Sequence, residues 1–247
     1  MTEGTSATHR VQPAADTECA GLRAVWERLA CALAEAGRAS DGAHLVAVSK
    51  TVPSARLREM FACGQRTFGE SYVQEALAKQ EALADLPIEW HFIGPLQSNK
   101  TRPVAERFAW VHSVDRLRIA ERLSAQRPAD LPPLNVCLQV NIDREATKSG
   151  IAPDPEEVSD LAHAVAQLPR LALRGLMAIP APTDDPLRQR DSFRRVRALF
   201  EQLQSEGLAL DTLSMGMSDD LEAAVLEGAT LVRVGRAIFG ARPGPGH

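Results

Sequence analysis

Aromatic residues are scarce in this chain: one tyrosine, three tryptophans and seven phenylalanines among 247 residues. A surface that stacks successive bases needs more of them. The formal net charge of -4 also supplies no basic excess for nucleic acid or an anionic membrane. An acidic average still leaves room for a local phosphate site, which takes only a few donors. Cysteine is sparse as well. Cys19, Cys31, Cys63 and Cys137 form no CxxC pair and no ladder with the six histidines. Their spacing therefore predicts neither a zinc site nor a disulfide framework, and it fits a reducing cytoplasm. No apolar run approaches membrane-spanning length. Residues 1–16, "MTEGTSATHRVQPAAD", lack the apolar centre of a signal peptide and read as a disordered lead. Residues 243–247 read as a frayed tail. No GxxxxGK occurs, and no GxGxxG follows a strand, which disfavours a nucleotide loop.

What the chain does have is alternation. Short β-rich runs fall at 45–49, 66–69, 89–94, 109–114, 135–142, 173–179, 211–216 and 230–235, with amphipathic stretches between them. "SARLREMFACG" places Leu57, Met60 and Phe61 on one face and ends on glycine. "DSFRRVRALFEQLQSEG" does the same with Phe193, Val196, Leu199, Phe200 and Leu203. Strict strand–helix alternation predicts a parallel sheet. Eight units in about 200 residues favour a single closed (β/α)8 TIM barrel over an open doubly wound sheet. A helix at about 17–36 lies outside the repeat. The folded unit is expected to run over 17–242, with the Pro-rich stretch 178–186 as a long loop on the active face.

The residues at the strand ends carry the chemistry. Lys50 closes the apolar run "LVAVS". It is either a surface lysine met as the strand leaves the core or an amine at the mouth of a site, able to form a Schiff base with an aldehyde. Strand seven runs into "LSMGMSDDLEAA", where Ser214, Gly216 and Ser218 occupy the turn and a helix is expected from about Ser218 or Asp219. Strand eight runs into Gly235 and Arg236. In barrels the loops after strands seven and eight are the favoured phosphate site. Arg233, two residues before Gly235, shares its face by alternation and is either in a structural ion pair or donating to a ring nitrogen. Gln139 and Asn141 are expected to point inward, and Lys148 to sit exposed in a polar loop.

At these residues "VAVSKTVP", "FGESYVQEA", "WHFIGPLQSNK", "QVN…KSGI", "GLMAIP" and "LSMGMSDDLEAAVLEGATLVRVGRAIFGAR" closely resemble the pyridoxal 5′-phosphate homeostasis protein family, which is similar to the N-terminal barrel of alanine racemase. The resemblance spans about residues 20–242. It implies a single barrel carrying pyridoxal 5′-phosphate (PLP) as a Schiff base on Lys50. It further implies that Ser218, Gly235 and Arg236 hold the phosphate, that Arg233 faces the pyridine nitrogen, and that Asn141 and Met177 line the cofactor. Lys148 matches a loop lysine suspected of taking a second PLP. Two positions depart from the family pattern. Ser71 stands where an Asn is usual. Arg236 stands where a small hydroxyl residue is frequent, and its side chain is free either to add charge to the cradle or to turn outward.

Three functions compete: a PLP carrier or buffer in vitamin B6 homeostasis, a PLP-dependent amino-acid racemase, and a barrel for another phosphorylated metabolite. Racemisation needs an acid or base on each face of the carbanion. The resemblance implies that alanine racemase supplies one of them from a second domain, whereas this chain ends where the barrel ends. Tyr72 is its sole tyrosine, and nothing in the sequence places it opposite Lys50. His91 is a further candidate, read otherwise as part of the barrel wall. The expectation is a non-catalytic, cytoplasmic, monomeric carrier of PLP that serves PLP-dependent apoenzymes.

Overall fold

The computed structural model describes residues 18–145 and 147–240. The expected lead at 1–16 and the expected tail at 243–247 lie outside the described residues.

Eight parallel strands pair in chain order, and the last closes on the first. They are β1 (His44–Val48), β2 (Thr67–Glu70), β3 (Glu89–Phe92), β4 (Trp110–Val114), β5 (Leu134–Val140), β6 (Leu171–Ala178), β7 (Thr212–Ser214) and β8 (Leu231–Val234). Helix α1 (Ala20–Glu35) precedes the barrel. Around it run α2 (Ser54–Ala62), α3 (Val73–Ala82), α4 (Thr101–Arg107), α5 (Leu117–Gln126), α6 (Pro155–Ala166), α7 (Pro186–Ser205), α8 (Leu221–Leu226) and α9 (Arg236–Phe239). All eight expected strands are present, and the closed barrel replaces the doubly wound alternative.

The strands are covered on both faces, which is why they read as apolar runs. The main core lies between sheet and helices and includes Leu57, Met60, Phe68, Phe92, Ile119, Phe193 and Val232. A smaller cluster of Val46, Trp110, Cys137, Met177 and Leu231 fills the barrel interior. Burial raises the Cys137 thiol to about 12, so it stays protonated and inert.

Three local features differ from the sequence reading. Helix α7 starts at Pro186, five residues before the amphipathic stretch, because Asp185 accepts from Leu187 N–H as N-cap and proline sits at the first turn. Helix α8 starts only at Leu221. Gly216 (φ +94) turns the chain there, and Asp220 Oδ1 binds Met217 N–H at 2.5 Å, so 217–220 form a turn before the helix. Strand β6 carries a bulge. Its register against β5 slips between Val136 and Cys137, and Gly175 adopts φ +155. A Cβ at Gly175 would stand 1.8 Å from Thr212 O, so only glycine lets β7 approach.

The absence of disulfides expected from cysteine spacing is corrected: Cys19 and Cys63 are bonded. They lie 44 residues apart, at the start of α1 and the end of α2, and only the docking of α1 on the barrel brings them together. Cys63→Ser is expected to lose about 2–4 kcal/mol of stability, read as a drop in the urea midpoint that a reducing agent reproduces in the wild type. Cys31→Ser, at an exposed free thiol, should change it little. An unaltered midpoint under reduction would contradict the tether.

Candidate functional site

The C-terminal ends of the strands enclose a cavity of about 190 Å³ lined by Val48, Lys50, Ser71, Ile93, Ile179, Met217, Ser218, Asp219, Arg233, Gly235 and Arg236. Six of the residues singled out in the sequence thus meet in one place: Lys50, Ser71, Ser218, Arg233, Gly235 and Arg236. The reason is alternation. Val46 lies in the interior cluster and Val48, the last residue of β1, lines the cavity, so Lys50, two residues beyond the strand end, continues the inward direction.

The backbone around Lys50 is held from both sides. Lys79 of α3, with a side chain only 6% exposed, donates to Ser49 O at 2.6 Å, to Glu70 Oε1 at 2.8 Å and to Glu75 Oε1 at 2.6 Å. Ser49 Oγ donates to Glu70 Oε1 at 2.6 Å. Glu75 Oε1 also accepts from Thr51 N–H at 2.5 Å, and Thr51 sits at φ +68, a costly conformation for a β-branched residue. Burial raises the Glu70 carboxyl, while its bonds to Lys79 and Ser49 pull it back. The residues before and after Lys50 are therefore pinned by one buried ionic cluster, which the sequence reading missed.

On the opposite side, Ser218 Oγ accepts from Ala237 N–H at 3.4 Å, joining the turn after β7 to the first turn of α9. Arg28 of α1 donates to Ser218 O at 3.0 Å and pairs with Glu222, so the helix outside the repeat braces this turn from behind. The Arg236 guanidinium is 66% exposed and bonds Asp219 Oδ2 at 2.5 Å. Of the two orientations open to it, the side chain takes the outward one.

Arg233 is 4% exposed. Its Nη1 donates to Ser214 Oγ at 2.6 Å and its Nη2 to Ala178 O at 2.9 Å. Among the described residues it has no carboxylate partner in direct contact. Burial lowers its pKa to about 10, with the Asp220 charge opposing, so it remains a cation at neutral pH. Ser214, expected in the turn, is instead the last residue of β7, fully buried and bonded to Arg233.

The remaining expectations fall around this cavity. Met177 is fully buried in the interior cluster, two residues before the lining residue Ile179. Asn141 caps its own loop, donating to Glu145 O at 2.7 Å and accepting from Glu145 N–H at 3.0 Å. Lys148 is not an exposed loop lysine. Its side chain is 24% exposed, and Nζ bonds Glu145 Oε1 at 2.5 Å and Pro180 O at 2.7 Å. Tyr72 is 57% exposed and lines a separate groove with Pro95, Gln97 and Lys100.

The donor set of the cavity is specific: an amine, a hydroxyl beside a backbone N–H, and a buried guanidinium. Residues 22–243 match the family model described as alanine racemase, N-terminal domain. The chain is 65% identical over 207 residues to the pyridoxal phosphate homeostasis protein of Pseudomonas aeruginosa, covering 84% of this chain and 88% of that one. It is 53% identical over 224 residues to the protein of the same name in Escherichia coli K12, covering 90% and 95%. Among solved structures, PipY of Synechococcus elongatus with PLP bound aligns with TM-score 0.75 and 40% identity over 86% of this chain and all of PipY. Alanine racemase of Clostridium difficile, at TM-score 0.71 and 12% identity over 92% of this chain and 57% of that one, shares the fold. The chain belongs to the pyridoxal phosphate homeostasis protein family, built on the alanine racemase N-terminal barrel.

Proposed function

We propose that this protein binds PLP in the cavity at Lys50 and acts as a non-catalytic carrier or buffer in PLP homeostasis. One observation carries the reading: an amine, a hydroxyl–amide pair and a buried arginine surround a single cavity. They match, in type, the aldehyde, the phosphate and the ring nitrogen of PLP. When bound, PLP supplies an aldehyde that a lysine amine condenses with, losing water, and a ring that can spread carbanion charge. Lys50 is the amine for the Schiff base. Ser218 Oγ and the backbone N–H groups at Gly235 and Arg236 would hold the phosphate, and Arg233 would face the ring nitrogen. Because a guanidinium only donates hydrogen bonds, Arg233 would keep that nitrogen an acceptor and blunt the ring's capacity for carbanion charge. Asn141 and Lys148 act one layer out. Asn141 shapes the loop whose Lys148 binds the carbonyls of Ile179 and Pro180. A second PLP on Lys148 would have to displace those bonds.

The carrier reading over the racemase draws on the cavity's contents. Among its lining residues the only carboxylate is Asp219, already bonded to Arg236, and Tyr72 lines a different groove. Among the described residues, no second acid–base group is thereby presented to the face opposite Lys50. Cytoplasmic residence, a monomeric state and hand-over to PLP-dependent apoenzymes complete the proposal. Among the described residues, no helix is long and apolar enough to cross a membrane.

The test is retention of PLP on dialysis. Ser218→Ala is expected to release it about tenfold faster than the wild type, the effect of removing one charge-assisted hydrogen bond. Ser71→Asn, which restores the family residue, should not. Equal retention by Ser218→Ala and the wild type would remove Ser218 from the cradle.

A further inference from the structure

A continuous hydrogen-bonded chain crosses the barrel interior beneath the cavity. It begins at Glu89, the first residue of β3, whose side chain is 51% exposed at the N-terminal face. Glu89 Oε1 lies 2.8 Å from His91 Nε2. His91 Nδ1 lies 2.8 Å from His112 Nε2. His112 Nδ1 lies 2.7 Å from Ser214 Oγ, and Ser214 Oγ lies 2.6 Å from Arg233 Nη1. The four inner members are 0–4% exposed. They come from β3, β4, β7 and β8, so the chain exists only because the sheet closes.

Its polarity follows from donor chemistry. Arginine can only donate, so Ser214 Oγ accepts from Arg233. With a second lone pair, Ser214 Oγ can also accept from His112 Nδ1–H or donate its proton to Nδ1; a Glu89 carboxylate, accepting from His91 Nε2–H, selects the second when both imidazoles are neutral. His112 consequently carries its hydrogen on Nε2 and donates to His91 Nδ1, and His91 carries its hydrogen on Nε2 and donates to Glu89. The carboxylate end dictates this order, and donation from Arg233 is compatible with it, with both imidazoles neutral. Burial lowers the pKa of both histidines, strongly for His112, where the charge of Arg233 adds to it. The bond to His91 lowers that of Glu89. One buried cation is thus connected to one solvent-facing anion through three neutral, aligned groups.

We propose that Glu89 is a positioning residue for Arg233: acting through His91, His112 and Ser214 from the far end of the barrel, it fixes the orientation of the guanidinium at the cavity and so tunes what a bound ring nitrogen meets. The effect on the ring rests on the PLP reading; the hydrogen-bonded path does not. Asp220 also acts on Arg233, and His44 on Glu89, but through space and not through the bonded path. The arrangement gives the site a buried positive charge whose counter-charge lies outside the cavity, where it does not compete with the phosphate.

The test is 15N NMR of the histidine side chains in the full-length protein without PLP, followed by the visible spectrum after PLP is added. In the wild type, His91 and His112 should both appear as neutral Nε2–H tautomers. Glu89→Gln keeps an acceptor for His91 and should preserve them. Glu89→Ala should mix the tautomers, shift the visible band of the PLP-loaded protein and speed PLP loss about tenfold, with Glu89→Gln recovering most of the retention. Wild-type histidines found as Nδ1–H tautomers or imidazolium, or tautomers unmoved in Glu89→Ala, would overturn the proposal. If the tautomers respond as expected but PLP gives no visible band even with the wild type, the chain stands and the PLP reading fails.

Discussion

Lys79→Ala is expected to destabilise the protein by about 3–5 kcal/mol, the range for removing one partner of a buried ion pair. Its ammonium is the only cation among the described residues that binds Glu70, whose side chain is fully buried. Without it, the Glu70 and Glu75 carboxylates face each other with their shared counter-charge gone. The Ser49 carbonyl loses its donor at the same time. The double variant Glu70→Leu with Lys79→Met should recover part of the loss, because burying two apolar groups does not leave a charge unpaired. The effect should also reach the site. Glu75, released from Lys79, no longer holds Thr51 firmly at φ +68, and PLP binding by any folded fraction should weaken. Urea denaturation measures the first effect, and a loss below about 1 kcal/mol would mean that the pair behaves as a surface salt bridge.

Lys50→Ala should abolish the visible absorption that PLP gives with the wild type, because no other described lysine lines the cavity. Stability should hardly change, since the substitution removes a half-buried side chain at a loop position. The phosphate contacts proposed at Ser218 would remain, so some non-covalent binding should survive, weak enough to be lost on dialysis. A variant that keeps the full visible band would transfer the covalent role to another lysine.

How far the sequence could be read follows from how local each feature is. The strands are short apolar runs because both faces of a parallel sheet are covered, and that pattern is visible residue by residue. Lys50 stands out because a charge ends such a run. Ser218 and Gly235 stand out because they follow the last two strands, where barrels place phosphates. The inward turn of Arg233 follows from alternation with Gly235. What escaped notice depends on distant pairs. His112 and Ser214 are 102 residues apart, and Arg28 and Glu222 are 194 apart. The partner of Cys19 is unreadable from spacing for the same reason. Glu75 and Lys79 do form a legible i,i+4 pair, but such pairs are usually exposed. Only the fold shows that the lysine of this one is buried, against the carbonyl of Ser49. The bulge at Gly175 leaves a single glycine in an apolar strand as its trace, and its cause, the approach of Thr212, is tertiary.

The central claim is that Lys50 is the residue that bonds the aldehyde carbon of PLP. The most direct measurement is borohydride reduction of the wild-type protein after PLP is added, followed by peptide mapping of the reduced adduct. The account predicts one modified lysine, Lys50. An adduct confined to Lys148 or to any other lysine, or no adduct at all, would contradict it.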